Sequence, residues 1–199
     1  MCQPHDLIWV KPSDDFFHDV PDWVKTEWNW TLPLIVRRDS AGPERIPAGI
    51  RGMARAHRHP VFVNRTDVVR VLTPEGVLEY LDKVTFKEHP CIAALKKLKT
   101  FSWPFAWGVG GSCGFSLATE QMRMRPESDL DLIIRAPARL MRSDFDSWNT
   151  VCSTLGCRAD TQVQTPLGGF SLNEWLTHDR VLLKTNQRPL LTNDPWLGV

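Results

Sequence analysis

Two short runs in this chain hold residue types that could do chemistry together: Gly110-Gly111-Ser112-Cys113-Gly114-Phe115, and Ser128-Asp129-Leu130-Asp131-Leu132-Ile133-Ile134. A strand that ends in Gly-Gly-Ser and leads into a helix exposes backbone N–H groups. Glycine lets a phosphate come close to that backbone, and the serine hydroxyl adds a donor. The helix N-terminus contributes partial positive charge. In Asp129-Leu130-Asp131, strand alternation puts both carboxylates on one face and Leu130 and Leu132 on the other. Such carboxylates repel each other unless a cation lies between them. Their hard oxygens suit Mg²⁺, which takes one or two carboxylates and fills its shell from substrate phosphates. The expected chemistry is metal-assisted phosphoryl transfer, with Gly110, Gly111 and Ser112 holding a polyphosphate and Asp129 and Asp131 holding the ion. Each run alone is a common surface feature. Their apolar flanks, Val109 and Ile133-Ile134, mark both as sitting on buried strands.

Together the two runs resemble the nucleotidyltransferase superfamily, which includes DNA polymerase beta and kanamycin nucleotidyltransferase. There, Gly-Ser opens the first helix, Asp-x-Asp lies on the next strand and a third carboxylate comes from a later strand. The resemblance assigns that third place to Asp160, as metal ligand or general base; by sequence alone Asp160 could be a strand-edge surface residue. Further segments are similar to the phosphoribosyl-dephospho-CoA transferases, the holo-acyl-carrier-protein synthases of malonate decarboxylase. They are Pro4-His5-Asp6-Leu7-Ile8-Trp9, Ile46-Pro47-Ala48-Gly49-Ile50-Arg51-Gly52, Gly168-Gly169-Phe170, Asn173-Glu174-Trp175, Arg180-Val181-Leu182-Leu183-Lys184-Thr185 and Pro189-Leu190-Leu191. After Gly-Ser, however, the run Cys113-Gly114-Phe115 looks closer to other branches of the superfamily.

The resemblance implies a donor, 2'-(5''-triphosphoribosyl)-3'-dephospho-CoA, and an acceptor serine on the acyl carrier subunit of malonate decarboxylase, with pyrophosphate leaving. It implies Asp129, Asp131 and Asp160 as the catalytic carboxylates. Two other readings stand beside it: a nucleotidyltransferase acting on a small molecule or another protein, and a non-catalytic nucleotidyltransferase-fold antitoxin or binding protein. The intact Ser112, Asp129 and Asp131 argue against the last.

Cations are weighed next. Arg51, Arg55, Arg58 and Arg65, with His57 and His59, form the densest basic stretch. They could hold the phosphates of a CoA moiety, meet an acidic carrier, or make a solvated face. Arg51 is the foremost substrate-binding candidate, because it lies in a family-like segment. Arg123 and Arg125 could touch phosphates or sit in an exposed turn. Lys184 could bind substrate and neutralise charge near the metal, or end a strand at the surface. His5 and Asp6 are expected to hydrogen-bond and pin the N-terminus.

The elements that must position these residues follow from periodicity and punctuation. Strands are expected at 7–10, 34–38, 46–51, 105–109, 129–134, 157–163 and 181–183. Helical turns are expected from Asp22, from Pro74 with Thr73 as its cap, over 91–98, along the Met141, Phe145, Trp148, Cys152 and Leu155 face, and over 172–176. The fold class is α/β (α+β): a nucleotidyltransferase-fold C-terminal domain at 89–199, with a mixed sheet and flanking helices, and a smaller strand-rich N-terminal domain at 1–88.

Composition bounds the partners. A net charge of +1 over 199 residues argues against nucleic acid as a partner. No apolar run reaches the roughly 20 residues of a membrane span. The N-terminus lacks the basic and apolar regions of a secretory signal. The 5 cysteines include no CxxC pair, which fits a reducing, cytoplasmic setting. The 9 tryptophans against 1 tyrosine are expected to be mostly core or rim packing.

Overall fold

The computed structural model describes residues 2–17, 19–54 and 56–197, so Arg55 lies outside the described residues. The chain divides into two units, 1–73 and 74–199.

The first unit is an antiparallel five-stranded sheet of β1 (Leu7–Val10), β2 (Leu34–Val36), β3 (Arg45–Arg51), β4 (Arg58–Asn64) and β5 (Val68–Leu72), in the order β4-β3-β2-β1-β5. Interior β1 is buried along its whole length, whereas β3 alternates, with Ile46, Ala48 and Ile50 inward. A short helix α1 (Asp22–Glu27) precedes β2. The expected hairpin of β2 and β3 is present, with Ile35 opposite Gly49. Strands β4 and β5 were not foreseen. Asp6, 2% exposed, accepts from the Gln3 N–H through its carboxylate at 2.7 Å, and its carbonyl accepts from Val36. That pins the N-terminal segment.

The second unit is a six-stranded mixed sheet in the order β11-β10-β9-β8-β7-β6. Its strands are β6 (Ala106–Val109), β7 (Leu130–Arg135), β8 (Ala159–Gln164), β9 (Gly169–Ser171), β10 (Val181–Lys184) and β11 (Pro189–Thr192). Its helices are α2 (Pro74–Val77), α3 (Pro90–Lys99), α4 (Gly111–Thr119), α5 (Asp146–Cys152) and α6 (Leu172–Thr177). Only β7 and β8 pair in parallel, the chain crossing between them through α5. One face of this sheet carries Leu130, Leu132, Ile134, Thr161, Val163 and Phe170, all buried. Against it lie aromatic rings: Trp148 meets Trp103, Phe105 and Trp107 edge-on, and Trp175 meets Phe145, Phe170 and Trp196. Five of the tryptophans are thus accounted for as packing in one cluster.

The division at Thr73/Pro74 falls earlier than the expected 88/89. The reason is steric: α2 lies so close on β6 that a Cβ at Gly108 would come within 2.1 Å of the Pro74 backbone carbon. The segment after Thr73 is therefore built into the second unit.

Candidate active site

The second sheet's other face carries the polar residues. Strand β7 begins at Leu130, one residue later than expected, and Asp129 sits just before it. The alternation holds across that start. Leu130 and Leu132 are fully buried on the aromatic side, while Asp129 and Asp131 are each half-buried. In the parallel ladder Asp131 lies opposite Asp160, so these two share a face on adjacent strands. No separation in sequence could have revealed that register. Three of the expected carboxylates are therefore brought to one edge. Among the described residues, however, no three His, Cys, Asp or Glu side chains converge on one metal position.

The glycine run meets the carboxylates directly. The N–H of Gly110 donates to the carbonyl of Asp131 at 2.9 Å, and Gly110 caps α4 without any side-chain hydrogen bond. Gly111 has φ +58, and a Cβ there would fall 1.7 Å from Oδ2 of Asp131. Gly114 is just as constrained, its added Cβ meeting the Val109 carbonyl oxygen at 2.6 Å. Helix α4 thus starts over the Asp131 carboxylate and lies tight on the end of β6. The first amides of a helix have no intrahelical acceptor, and here they point to the edge that carries the acids. Ser112, 8% exposed, sits in that turn. The loop that returns to β7 is tied down by Ser116, whose Oγ donates to the Ser112 carbonyl and accepts from the Arg123 N–H, both at 2.8 Å.

Arg158 also belongs to this edge. Its guanidinium reaches Oδ2 of Asp129 at 3.5 Å, with the arginine side chain 76% exposed. The signal for it was in the sequence, since it directly precedes the strand that carries Asp160. Gln162 was likewise missed. It lies one same-face step beyond Asp160, opposite Ile133 and Ser171. The alternation Asp160, Gln162, Gln164 against Ala159, Thr161, Val163 would have found it.

Lys184 does lie on this face, in the register row Arg135, Gln164, Gly169, Lys184. At about 4.8 Å per strand and 3.3 Å per residue, it is on the order of 20 Å from Asp131. That is too far to neutralise charge between Asp129 and Asp131. At the β7 end of that same row Glu75 of α2 pairs with Arg135 at 2.9 Å. Arg123 and Arg125 occupy the return loop; Arg123 bonds Gln121, and the Arg125 carbonyl accepts from His89. Arg51 belongs to the first unit, at the end of β3 opposite Arg58.

Thiols crowd behind the carboxylates. Cys91, in the first turn of α3, donates to the carbonyl of Ser128 at 3.4 Å. The nearby Cys157 thiol raises the Cys91 pKa, and burial raises it further. The same neighbour relation lowers that of Cys157. Burial pushes Cys113 up.

The donor set can be tested against a metal. The acids are oxygen ligands on a rigid strand, Asp131 is pressed against a glycine that leaves its carboxylate room, and Asp160 stands beside it. Two protein carboxylates with the remaining ligands from phosphate and water is the usual habit of Mg²⁺, so the residues fit such an ion.

Two family models cover the chain. The phosphoribosyl-dephospho-CoA transferase MdcG N-terminal domain matches residues 3–74, and the MdcG C-terminal domain matches residues 79–195. A phosphoribosyl-dephospho-CoA transferase of Klebsiella pneumoniae is 43% identical over 196 residues, covering 98% of this chain and 96% of that protein. One from Pseudomonas aeruginosa is 36% identical over 197 residues, 98% and 93% of the two chains. Another from Pseudomonas syringae pv. tomato is 34% identical over 196 residues, 97% and 92%. No solved structure matches the chain.

Proposed function

Because the chain belongs to the phosphoribosyl-dephospho-CoA transferase family, we propose that it carries this group from 2'-(5''-triphosphoribosyl)-3'-dephospho-CoA to a serine on the acyl carrier subunit of malonate decarboxylase. Pyrophosphate leaves. The observation that carries the reading is the edge where the Asp131 carboxylate lies over Gly111 and opposite Asp160.

The residues divide the work as follows. The amides of the first turn of α4, beginning with Gly111, and the hydroxyl of Ser112 bind the triphosphate, with the Gly110 N–H fixing the turn on the Asp131 carbonyl. Asp129 and Asp131 hold Mg²⁺, and Arg158, released from Asp129, turns to the departing phosphates. When bound, the ion neutralises charge that develops on the phosphate oxygens. Asp160 accepts the proton of the incoming serine. The serine oxygen bonds to the phosphorus nearest the ribose as the bond from that phosphorus to pyrophosphate breaks. Gln162 supports the ribosyl part. Lys184, farther along the same face, meets the distal nucleotide.

The test is transfer of a labelled triphosphoribosyl donor to apo carrier. Label on the carrier serine, with pyrophosphate released, is the expected result, and it requires added magnesium after chelation. Label from ordinary ATP without label from this donor would refute the assignment. Asp131→Ala should lower transfer by about 10²–10³-fold or more, the scale for losing one preorganised electrostatic partner, with an unchanged circular dichroism spectrum. Full retained activity would remove Asp131 from the site.

A further inference from the structure

The thiols behind the carboxylate edge have no part in the transfer chemistry, yet two of them converge on the residue next to Asp129. Cys91 reaches that residue from α3, its Sγ 3.4 Å from the Ser128 carbonyl oxygen. Cys157 lies beside it, in the lead-in to β8. Leu130 donates to the Arg158 carbonyl at 2.8 Å and pairs with Ala159, so the parallel ladder brings Cys157 level with Ser128. The two thiols stand close enough for each to shift the other's titration, Cys91 upward and Cys157 downward. They also differ in access: Cys91 is fully buried and Cys157 half-buried. Both are free thiols in this structure. An accessible thiol backed by a buried one is the arrangement in which oxidation at the first is resolved by the second.

We infer that Cys91 and Cys157 are a modification site at which a hydroperoxide forms a reversible disulfide, and that this bond disables the adjacent carboxylate edge. Cys157 loses its proton, and its sulfur attacks the hydroperoxide. The O–O bond breaks, alkoxide or hydroxide leaves and takes up a proton, and Cys157 becomes a sulfenic acid. The sulfur of Cys91 then attacks that sulfur. An S–S bond forms, the S–O bond breaks, and hydroxide departs with the Cys91 proton as water. Two thiols lose two electrons and the hydroperoxide gains them. In the product Cys91 has no S–H to donate to Ser128, and α3 is tethered to the head of β8. The effect on activity rests on the reading of Asp129 and Asp131 given above; the bond itself does not.

The experiment treats the whole protein with dilute hydrogen peroxide, alkylates the remaining thiols and digests it. The expected product is a cross-linked pair of peptides containing Cys91 and Cys157, lighter by two hydrogens and separated by dithiothreitol. Transfer activity is lost in parallel and returns on reduction. Cys91→Ser keeps a donor for the Ser128 carbonyl, so it retains activity and resists peroxide. Three results would overturn the inference: a link to Cys113 instead, Cys157 passing to the sulfinic acid without a link, or a full link with activity unchanged. The peptide is read without any activity, so a reduced enzyme that fails to use the donor counts against the transfer reading and not against the disulfide.

Discussion

At Gly111 two demands meet in one residue. Its φ of +58 lies in the left-handed region, where a Cβ is strained, and the space that a Cβ would fill holds Oδ2 of Asp131 at 1.7 Å. Substitution therefore strikes the carboxylate first. Gly111→Ala should push the Asp131 side chain off the edge and lower transfer about as far as removing a stabilising group does, roughly 10²-fold or more. Its melting temperature should fall only modestly, because the clash is with a half-buried side chain. Kinetics and a melt on the same sample check both halves, and an alanine variant of wild-type activity would show that the carboxylate needs no such room. Asp129 is held differently. Its contact is an exposed arginine at 3.5 Å, and an ion pair of that kind contributes little to stability. Arg158 is thus only loosely held.

At the scale of elements, α5 is the piece that fixes β8. Trp148 on α5 is fully buried, and its Nε1 donates to the Thr161 hydroxyl at 3.1 Å. Thr161 is the residue next to Asp160. Trp148→Ala should cost about 3–5 kcal/mol, the usual range for emptying a large aromatic site in a core, measured by urea denaturation; a loss under about 1 kcal/mol would mean that the cluster repacks. Much of this arrangement was legible beforehand. The spacing of Phe145, Trp148 and Cys152 marked a helix face, although Met141 at its head is 68% exposed and the first turn is 3-10 over Arg142–Phe145. The Gly-Gly-Ser and Asp-x-Asp runs were readable because backbone freedom and strand alternation are local rules. What stayed hidden was non-local. The register of Asp131 against Asp160 depends on how two distant strands align, and the distance of Lys184 from the acids depends on the strand order between them. Strands β4 and β11 were missed for another reason. Each carries a proline, Pro60 and Pro189, which weakens a strand pattern, yet both strands are sheet edges, where a missing N–H is tolerated.

At the scale of the molecule, the two units invite a cut, and the place of the cut matters. Because α2 closes on β6 at Gly108, a fragment of residues 74–199 should melt cooperatively by circular dichroism. A fragment of 89–199 should not, since β6 would lose its cover; equal melts would restore the later boundary. The thiols set an alkaline limit. Burial pushes Cys152 from the ordinary 9.0 up to about 12, and Cys113 rises for the same reason. A raised thiol keeps its proton in the fold and loses it on unfolding. That contribution to stability is complete below about pH 9 and fades as pH climbs toward 12. Urea midpoints measured across that interval should fall, and a flat profile would contradict it. The single parallel pair of the second sheet, β7 with β8, has one more consequence, for synthesis on the ribosome. Strand β7 emerges and can dock on β6 at once, but its other side must wait for α5 and then β8. During that interval a growing chain presents an unpaired edge lined by Leu132, Ile133 and Ile134, and a pause in translation before Ala159 would leave it open to aggregation or to a chaperone.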